Sequence, residues 1–213
     1  PNLDLPVEAY GGKLPFEPVM VEHQLVDPTQ RWSLLRRCNV DPTVHPVWRF
    51  KGGEQAALAR WQAFKEKGLN GYARRRNNAA DANGVSRMSA YIHYGMISPM
   101  KIAREAAEVG TKSAEKYLDE LLVFREHPWH HIYATPEPYG VHNLPEWARL
   151  SWRSTADDPR TTRYTLRQLQ RGEVHDPLWA ACQRSLLRHG ELHNNVRMTW
   201  GKALTLWTDD VEQ

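Results

Sequence analysis

The sequence predicts an all-α domain that follows an irregular N-terminal arm. After residue 50, apolar side chains recur at helical spacing between glycine and proline residues, and no segment alternates apolar and polar residues as a half-buried strand does. Residues 1–50 contain seven of the fourteen prolines and show no sustained period. We therefore expect a Pro-rich arm or linker over residues 1–50 and a multi-helix domain over residues 51–213.

Glycine, serine and proline residues mark the first helices of the domain. An amphipathic pattern predicts a helix over about residues 53–67, which Gly68 ends. Ser98 is a suitable N-cap for a second helix, which stops before Gly110. Ser113 is expected to open a third helix. This third helix carries five apolar side chains toward the core: Tyr117, Leu118, Leu121, Leu122 and Phe124.

Similar start signals predict the later helices. Pro145 begins one helix, and Thr165 caps a short one. Asp176, followed by proline, caps a helix that runs to Gly190. The last helix is predicted over about residues 192–208, with a stripe of tryptophan and aliphatic side chains on one face.

The composition is that of an ordinary soluble globular protein. Of the 213 residues, 41% are hydrophobic and 25% are charged, which excludes a disordered chain and a collagen-like fibre. No run of about 18 apolar residues occurs, so we expect no membrane association. Two cysteines are too few for a disulfide scaffold or a four-cysteine metal site, so we expect a reducing, cytoplasmic location. A formal net charge of +3 permits a nucleic-acid partner without requiring one.

The nine tryptophans are the unusual feature of the composition. They are consistent with core packing, with a pocket for a flat aromatic ligand, or with a path for electrons. Trp200 and Trp207 are seven residues apart, which places them two turns apart on one face of a helix. Such a stripe is more often part of a core than an electron path, and the spacing alone does not decide.

Two segments carry features of an anion site. The run Ser86-Arg87-Met88-Ser89 has two hydroxyls and an arginine before an apolar stretch, which suits a helix N-terminus that receives a phosphate. The alternative is that Ser86 or Ser89 only caps the helix. Arg74, Arg75 and Arg76 either neutralise phosphates or form a solvated face. The histidines of residues 127–131 lack the spacing and the further ligands of a metal site, so we expect none.

Taken together, these segments resemble the flavin-binding helical domain of the DNA photolyase/cryptochrome family, most closely its class II branch. The resemblance covers roughly residues 40–208 and rests on six motifs in the family's order. The motifs are Gly52-Gly53-Glu54, Gly71-Tyr72 with Arg76-Asn77, Ser86 through Ser98, Glu120 through Glu126, His175-Asp176-Pro177-Leu178-Trp179 and Arg197-Met198-Thr199-Trp200. The family implies an all-α fold for the domain.

The resemblance implies FAD as the cofactor. Its ribityl and diphosphate part would be held by Tyr72, Ser86, Arg87, Met88 and Ser89. Arg125 and Arg197 would flank the flavin, where a cation favours the anionic reduced ring. Asn194 matches an asparagine that lies near the cofactor in the family.

The resemblance also implies light-driven repair of UV-damaged DNA. Excited reduced FAD would pass an electron to a pyrimidine dimer flipped out of the duplex, and the dimer would split. Trp200, Trp179 and Trp207 match the family's electron-transfer chain, with Trp200 nearest the flavin and Trp207 outermost. Either Glu120 or Glu126 would contact the dimer. The residues expected to contact the DNA backbone are Arg74, Arg75, Arg76 and Lys101.

Three functional interpretations follow. The chain is part of a dimer-repairing photolyase, or a cryptochrome-like photoreceptor without repair, or a cofactor-free scaffold that binds DNA or a protein partner. The family continues beyond the position of Gln213 and carries an N-terminal antenna domain, so we expect a partial flavin domain without an antenna chromophore. We expect the chain to be a monomer.

Overall fold

A computed structural model describes residues 28–40, 46–47 and 49–208 of the chain. The chain divides into two compact units, residues 2–47 and residues 48–213. The described residues contain eleven α-helices and no strand. The predicted all-α fold is confirmed.

The first unit contains a helix where the sequence predicts irregular structure. A 3₁₀ turn at Pro28–Gln30 leads into α1 (Arg31–Arg37). The segment of α1 contains neither glycine nor proline, which disfavour helices. The last turn contains Arg36 and Arg37, whose positive charges interact favourably with the negative end of the helix dipole. The prediction of a wholly irregular arm is therefore wrong for these residues. Residues 1–27 and 41–45 of the predicted arm lie outside the described residues.

The second unit contains the other ten described helices, joined by turns and by longer loops such as residues 76–88. A π-helical turn at Glu120–Phe124 connects α6 to α7. The helices are α2 (Glu54–Lys67), α3 (Tyr72–Arg75), α4 (Ser89–His93), α5 (Pro99–Val109), α6 (Lys112–Asp119), α7 (Glu126–Ala134), α8 (Glu146–Ser154), α9 (Leu166–Arg171), α10 (Pro177–His189) and α11 (Asn194–Trp207).

The predicted caps with strong local signals are confirmed. Ser98 accepts a hydrogen bond from the Lys101 amide at the start of α5. Thr165 forms a capping box with Gln168 at the start of α9. Asp176 accepts from two backbone amides of α10. These caps satisfy amide groups that have no partner within the helix, so a few residues set each helix start.

Two details of the third predicted helix are wrong. It begins with Thr111 as N-cap, because the Thr111 hydroxyl accepts from the Ala114 amide, while the Ser113 hydroxyl accepts from the Ala73 amide. Phe124 is 59% exposed and does not enter the core. The π-helical turn is the reason, since its wider turn rotates the following side chains away from the α-helical register.

Four aromatic rings form the core between α2, α3 and α6. The Trp61 and Tyr117 rings stack with 5.7 Å between their centroids. Tyr72 meets Tyr117 edge to face at 5.1 Å, and Phe64 lies 5.5 Å from Tyr117. All four side chains are buried. Pairs in these geometries add about 0.5–1.5 kcal/mol each beyond the burial of apolar area.

Glu105 joins α2 to α5 on the outer side of this core. Its carboxylate accepts from the Trp61 indole at 2.7 Å and from Lys65 at 2.9 Å, and it also pairs with Lys101. Burial raises the pKa of Glu105, but the hydrogen bonds from Lys101, Lys65 and Trp61 outweigh burial and hold the pKa at about 2. The ionised carboxylate therefore stabilises the contact between the two helices.

Glu105→Gln is expected to lower the free energy of unfolding at pH 7 by about 1–3 kcal/mol, because it removes the negative charge and replaces one of the two accepting oxygens with an NH2 group that faces donors. Since the folded-state pKa of about 2 lies below the unfolded value, the contribution is complete above about pH 5 and is lost as the pH falls toward 2. Urea unfolding at several pH values measures both effects.

The matched control is Glu108→Gln, which changes an exposed carboxylate of the same helix. This control is expected to alter the free energy of unfolding by less than about 0.5 kcal/mol. An acid dependence that is the same in Glu105→Gln and in the unchanged protein would contradict the role of Glu105.

Candidate functional site

A cavity of about 470 Å³ opens between α3, the segment of residues 85–89, the π-helical turn and α11. We call it the central cavity. Asn195, at the start of α11, donates to the backbone oxygen of Asn77 at 3.0 Å and so connects two of its walls. Seven of the eight residues predicted to bind the cofactor line the central cavity: Tyr72, Ser86, Met88, Ser89, Arg125, Asn194 and Arg197.

Arg87 is the eighth predicted residue, and its side chain lies outside the central cavity. Its backbone has φ +58°, the left-handed region that non-glycine residues seldom adopt. The guanidinium group pairs with Glu191 at 2.5 Å and donates to the Ala82 oxygen at 2.9 Å. Arg87 thus connects the segment of residues 85–89 to the turn between α10 and α11.

The central cavity is positively charged. Arg76, Arg125 and Arg197 line it together with a single carboxylate, Glu120. Arg76 pairs with Glu120 at 2.6 Å and lies over the Tyr72 ring, 5.8 Å from its centroid. Guanidinium groups keep their charge at any physiological pH, so the cavity favours an anionic ligand.

The two candidate carboxylates occupy different places. Glu120 lines the central cavity and is held by Arg76 and by Lys116, whose ammonium group lies 3.0 Å away. Glu126 is exposed, pairs with Arg125, and is not part of the cavity wall. The geometry therefore brings Glu120, and not Glu126, to the cavity.

Hydrogen bonds from Arg60 and Tyr117 fix the position of the segment of residues 85–89. Arg60 of α2 donates to the backbone oxygens of Ser86 at 2.7 Å and Val85 at 3.1 Å. The Ser86 hydroxyl oxygen accepts from the Tyr117 hydroxyl at 3.2 Å and from the Met88 amide at 3.4 Å. The N-cap of α4 is Met88, which makes no side-chain cap, so neither serine caps that helix.

Two residues that contact the cavity wall, Arg60 and the hydroxyl of Tyr117, are not recognisable as site residues from the sequence. The contact of Arg60 with Val85 spans 25 residues, and no local pattern reveals a contact at that distance. Tyr117 has an apolar helical position, so its ring is predictable as core, but the partner of its hydroxyl is not. Burial raises the pKa of Tyr117 and, to a smaller extent, that of Tyr72, so both hydroxyls remain donors.

Three tryptophans form a continuous stack between α10, which carries Trp179, and α11, which carries Trp200 and Trp207. Trp179 lies parallel to Trp200, with ring centroids 5.0 Å apart and 7° between the planes. On its other side Trp179 meets Trp207 edge to face at 5.5 Å. The Trp179 indole donates to the Trp200 carbonyl at 3.0 Å, which fixes the parallel arrangement. Trp200 follows the cavity-lining Arg197 by about one turn of α11.

The basic residues predicted to contact DNA differ in whether a carboxylate pairs with them. Arg75 makes two hydrogen bonds to the Asp81 carboxylate at 2.6 and 2.8 Å, and Lys101 pairs with Glu105. Arg76 lines the central cavity. Within the part of the chain that the structure describes, Arg74 is the member of this set that pairs with no carboxylate.

Among the described residues, no group of three or more histidine, cysteine, aspartate or glutamate side chains is arranged to hold a metal ion. No described helix has the length and apolar character needed to cross a membrane.

Comparison with known proteins was made on sequence and on structure. The chain is 36% identical over 160 residues to the deoxyribodipyrimidine photo-lyase of Methanothermobacter thermautotrophicus, a match covering 75% of this chain and 35% of that protein. It is 33% identical over 191 residues to the deoxyribodipyrimidine photo-lyase of Oryza sativa subsp. japonica, covering 85% and 38%. The chain thus spans about a third of the length of these curated relatives. No family model matches the chain.

A similar fold occurs in a bacterial class III photolyase from Agrobacterium tumefaciens, a crystal structure determined at 1.67 Å resolution. The two structures superpose with a TM-score of 0.62 and 23% sequence identity. The match covers 81% of this chain and 35% of the class III photolyase chain. At this identity the likeness concerns the fold of the helical unit.

Proposed function

Because the chain belongs to the photolyase/cryptochrome family, we propose that it binds FAD in the central cavity and serves light-driven repair of cyclobutane pyrimidine dimers in DNA. The central cavity is the observation that carries the proposal. It gathers seven predicted cofactor residues from segments that are far apart in the sequence. Relatives named deoxyribodipyrimidine photo-lyase add support.

The residues of the central cavity fit an anionic dinucleotide cofactor. Three guanidinium groups, two serine hydroxyls and an asparagine amide offer donors to phosphate and flavin oxygens. The volume of about 470 Å³ lies within the range of about 300–1,000 Å³ that is usual for ligand pockets. In the proposal, Ser86 and Ser89 lie at the diphosphate, and Arg125, Arg197 and Asn194 lie beside the flavin.

The chemistry that reduced FAD would supply under light is the donation of one electron to the dimer. The cyclobutane ring of the dimer would then open, and the electron would return to the flavin. The protein residues position the reactants. Arg125 and Arg197 would stabilise negative charge on the flavin ring. Glu120 is the better candidate to contact the dimer, because it lines the cavity and its position is fixed by ion pairs with Arg76 and Lys116.

The tryptophan stack supports a path for the reduction of the flavin before repair. Its order, Trp200, Trp179 and Trp207, agrees with the chain expected for the class II branch. The centroids of neighbouring rings are 5.0 and 5.5 Å apart, so an electron would need only short steps between them. We place Trp200 at the flavin end because it follows Arg197 on α11.

The test of the function starts with FAD binding. Added FAD is expected to give a structured flavin absorption band at about one FAD per chain. With a reductant and blue light, the FAD-loaded protein is then expected to restore thymine dimers in an oligonucleotide to thymines. Absence of a flavin band with excess FAD would contradict the proposal. A flavin band without repair would favour a photoreceptor.

Trp200→Phe is expected to abolish photoreduction of bound FAD, because phenylalanine is much harder to oxidise than tryptophan. FAD binding is expected to remain, since Trp200 is not part of the cavity wall. Absorption spectra during blue-light illumination measure the reduction. The control is Trp147→Phe, which changes a tryptophan that is 75% exposed and outside the stack. Equal photoreduction in both variants would contradict the role of Trp200.

Arg74→Gln is expected to weaken binding to dimer-containing DNA and to reduce the slope of log K against log salt by about one, as for loss of one phosphate contact. Titrations at several salt concentrations measure the slope. Arg167→Gln, which changes an exposed arginine of α9, is the control and is expected to leave the slope unchanged. The same slope in Arg74→Gln and the unchanged protein would assign Arg74 to a solvated face.

A further inference from the structure

We propose that Tyr117 and Arg60 are positioning residues that turn Ser86 into a hydrogen-bond donor toward the central cavity. Through Ser86 they would make the cavity prefer a phosphate-bearing flavin over an uncharged one. The inference rests on the proposed function in that a flavin occupies the cavity. It adds two residues that set the selectivity of the phosphate end through Ser86: Arg60, which is not part of the cavity wall, and Tyr117, which lines the cavity beside Ser86.

Ser86 has a limited hydrogen-bonding capacity. A serine hydroxyl has one proton to donate and two lone pairs that accept. The Tyr117 hydroxyl donates to one lone pair at 3.2 Å, and the Met88 amide donates to the other at 3.4 Å. Both acceptor positions are therefore used within the protein. What Ser86 has left for the cavity, whose wall it forms, is its proton.

Arg60 acts on the backbone of the same segment. Its guanidinium group binds the carbonyl oxygens of Ser86 and Val85 at 2.7 and 3.1 Å. These two oxygens carry partial negative charge, and their contact with Arg60 directs them toward α2. A phosphate in the cavity would therefore not face them, which removes a repulsion that an unconstrained loop would present.

Tyr117 is suited to its role because the position of its ring is fixed and its hydroxyl stays protonated. The ring is packed between Trp61, at 5.7 Å, and Tyr72, at 5.1 Å, which fixes the position of the hydroxyl. Burial keeps Tyr117 protonated. In this geometry the Tyr117 hydroxyl donates to the Ser86 oxygen from a fixed position, and the proton of Ser86 is left for a ligand in the cavity.

The consequence is a selectivity for charge. A phosphate oxygen accepts a hydrogen bond from Ser86 and gains from the three arginines of the cavity. Riboflavin has the same ring and ribityl chain but no phosphate, so it gains nothing from a donor fixed at that point. The proposed arrangement therefore affects the affinity for FAD and not the affinity for riboflavin.

Tyr117→Phe tests the inference, because it keeps the packed ring and removes the hydroxyl. With one lone pair of Ser86 released, its proton is no longer directed to the cavity. Affinity for FAD is expected to fall by about tenfold, the effect of losing one hydrogen bond to a charged group. Affinity for riboflavin is expected to be unchanged. Quenching of flavin fluorescence on titration measures both.

A double-mutant cycle separates positioning from packing. If Tyr117 acts through Ser86, then Ser86→Ala lowers FAD affinity and Tyr117→Phe has no further effect in that background. The control is Tyr164→Phe, which removes a tyrosine hydroxyl that contacts His175, away from the central cavity, and is expected to bind both flavins normally. Additive losses, or an equal loss for FAD and riboflavin, would overturn the inference.

A second probe keeps the inference separate from the proposed function. If the unchanged protein binds neither flavin, the proposed function fails, and inorganic pyrophosphate replaces FAD as the ligand. Shifts of the backbone amide signals of residues 85–89 on addition of pyrophosphate then measure binding. Weaker binding in Tyr117→Phe would support the positioning role. Equal binding in both proteins, or none in either, would overturn it.

Discussion

Tyr117 belongs both to the aromatic core and to the wall of the central cavity. Its ring is buried among Trp61, Phe64 and Tyr72, and its hydroxyl reaches the Ser86 oxygen in the wall of the central cavity. Burial of a hydroxyl without a hydrogen-bond partner would lower the stability of the fold by about 1–3 kcal/mol. The Ser86 oxygen in the cavity wall avoids this loss, because it accepts the hydrogen bond of the Tyr117 hydroxyl. The packing of α2, α3 and α6 and the orientation of residues 85–89 therefore depend on one another.

The charged residues outside the central cavity differ in their pairing from those that line it. Basic residues around the outside are neutralised by carboxylates, as with Arg75 and Asp81 or Arg87 and Glu191. At the central cavity, Arg76 pairs with Glu120 and Arg125 pairs with Glu126, while Arg197 donates to the amide oxygen of Asn194. The wall of the cavity still contains three guanidinium groups and one carboxylate, which favours an anionic ligand.

Local signals made much of the helical unit predictable from the sequence. The caps at Ser98, Thr165 and Asp176 need only three or four neighbouring residues, so the pattern contains the whole interaction. The exposure of Phe124 was not predictable, because it depends on a π-helical turn whose extra residue no periodicity reveals. The cavity residues were proposed from a family resemblance, since segments so far apart carry no common local signal.

Contacts at long range explain what the sequence did not reveal about the site. Arg60 and Arg87 are both arginines in polar surroundings, yet one holds the backbone of the cavity wall and the other pairs with Glu191. Glu120 and Glu126 differ by less than two turns, and only Glu120 reaches the cavity. In each case the partner lies on another element, and only the assembled fold determines which residue meets it.

The π-helical turn at Glu120–Phe124 has a consequence for the evolution of this segment. It contains one residue more than an α-helical turn between the same end points, as the hydrogen bond from the Arg125 amide to the Glu120 oxygen shows. Deletion of a single residue there would restore a regular helix and rotate Arg125 by about 100° relative to α6. A change in the length of this segment would thus move a cavity-lining arginine, whereas a substitution at an exposed position of the turn would leave the direction of Arg125 unchanged.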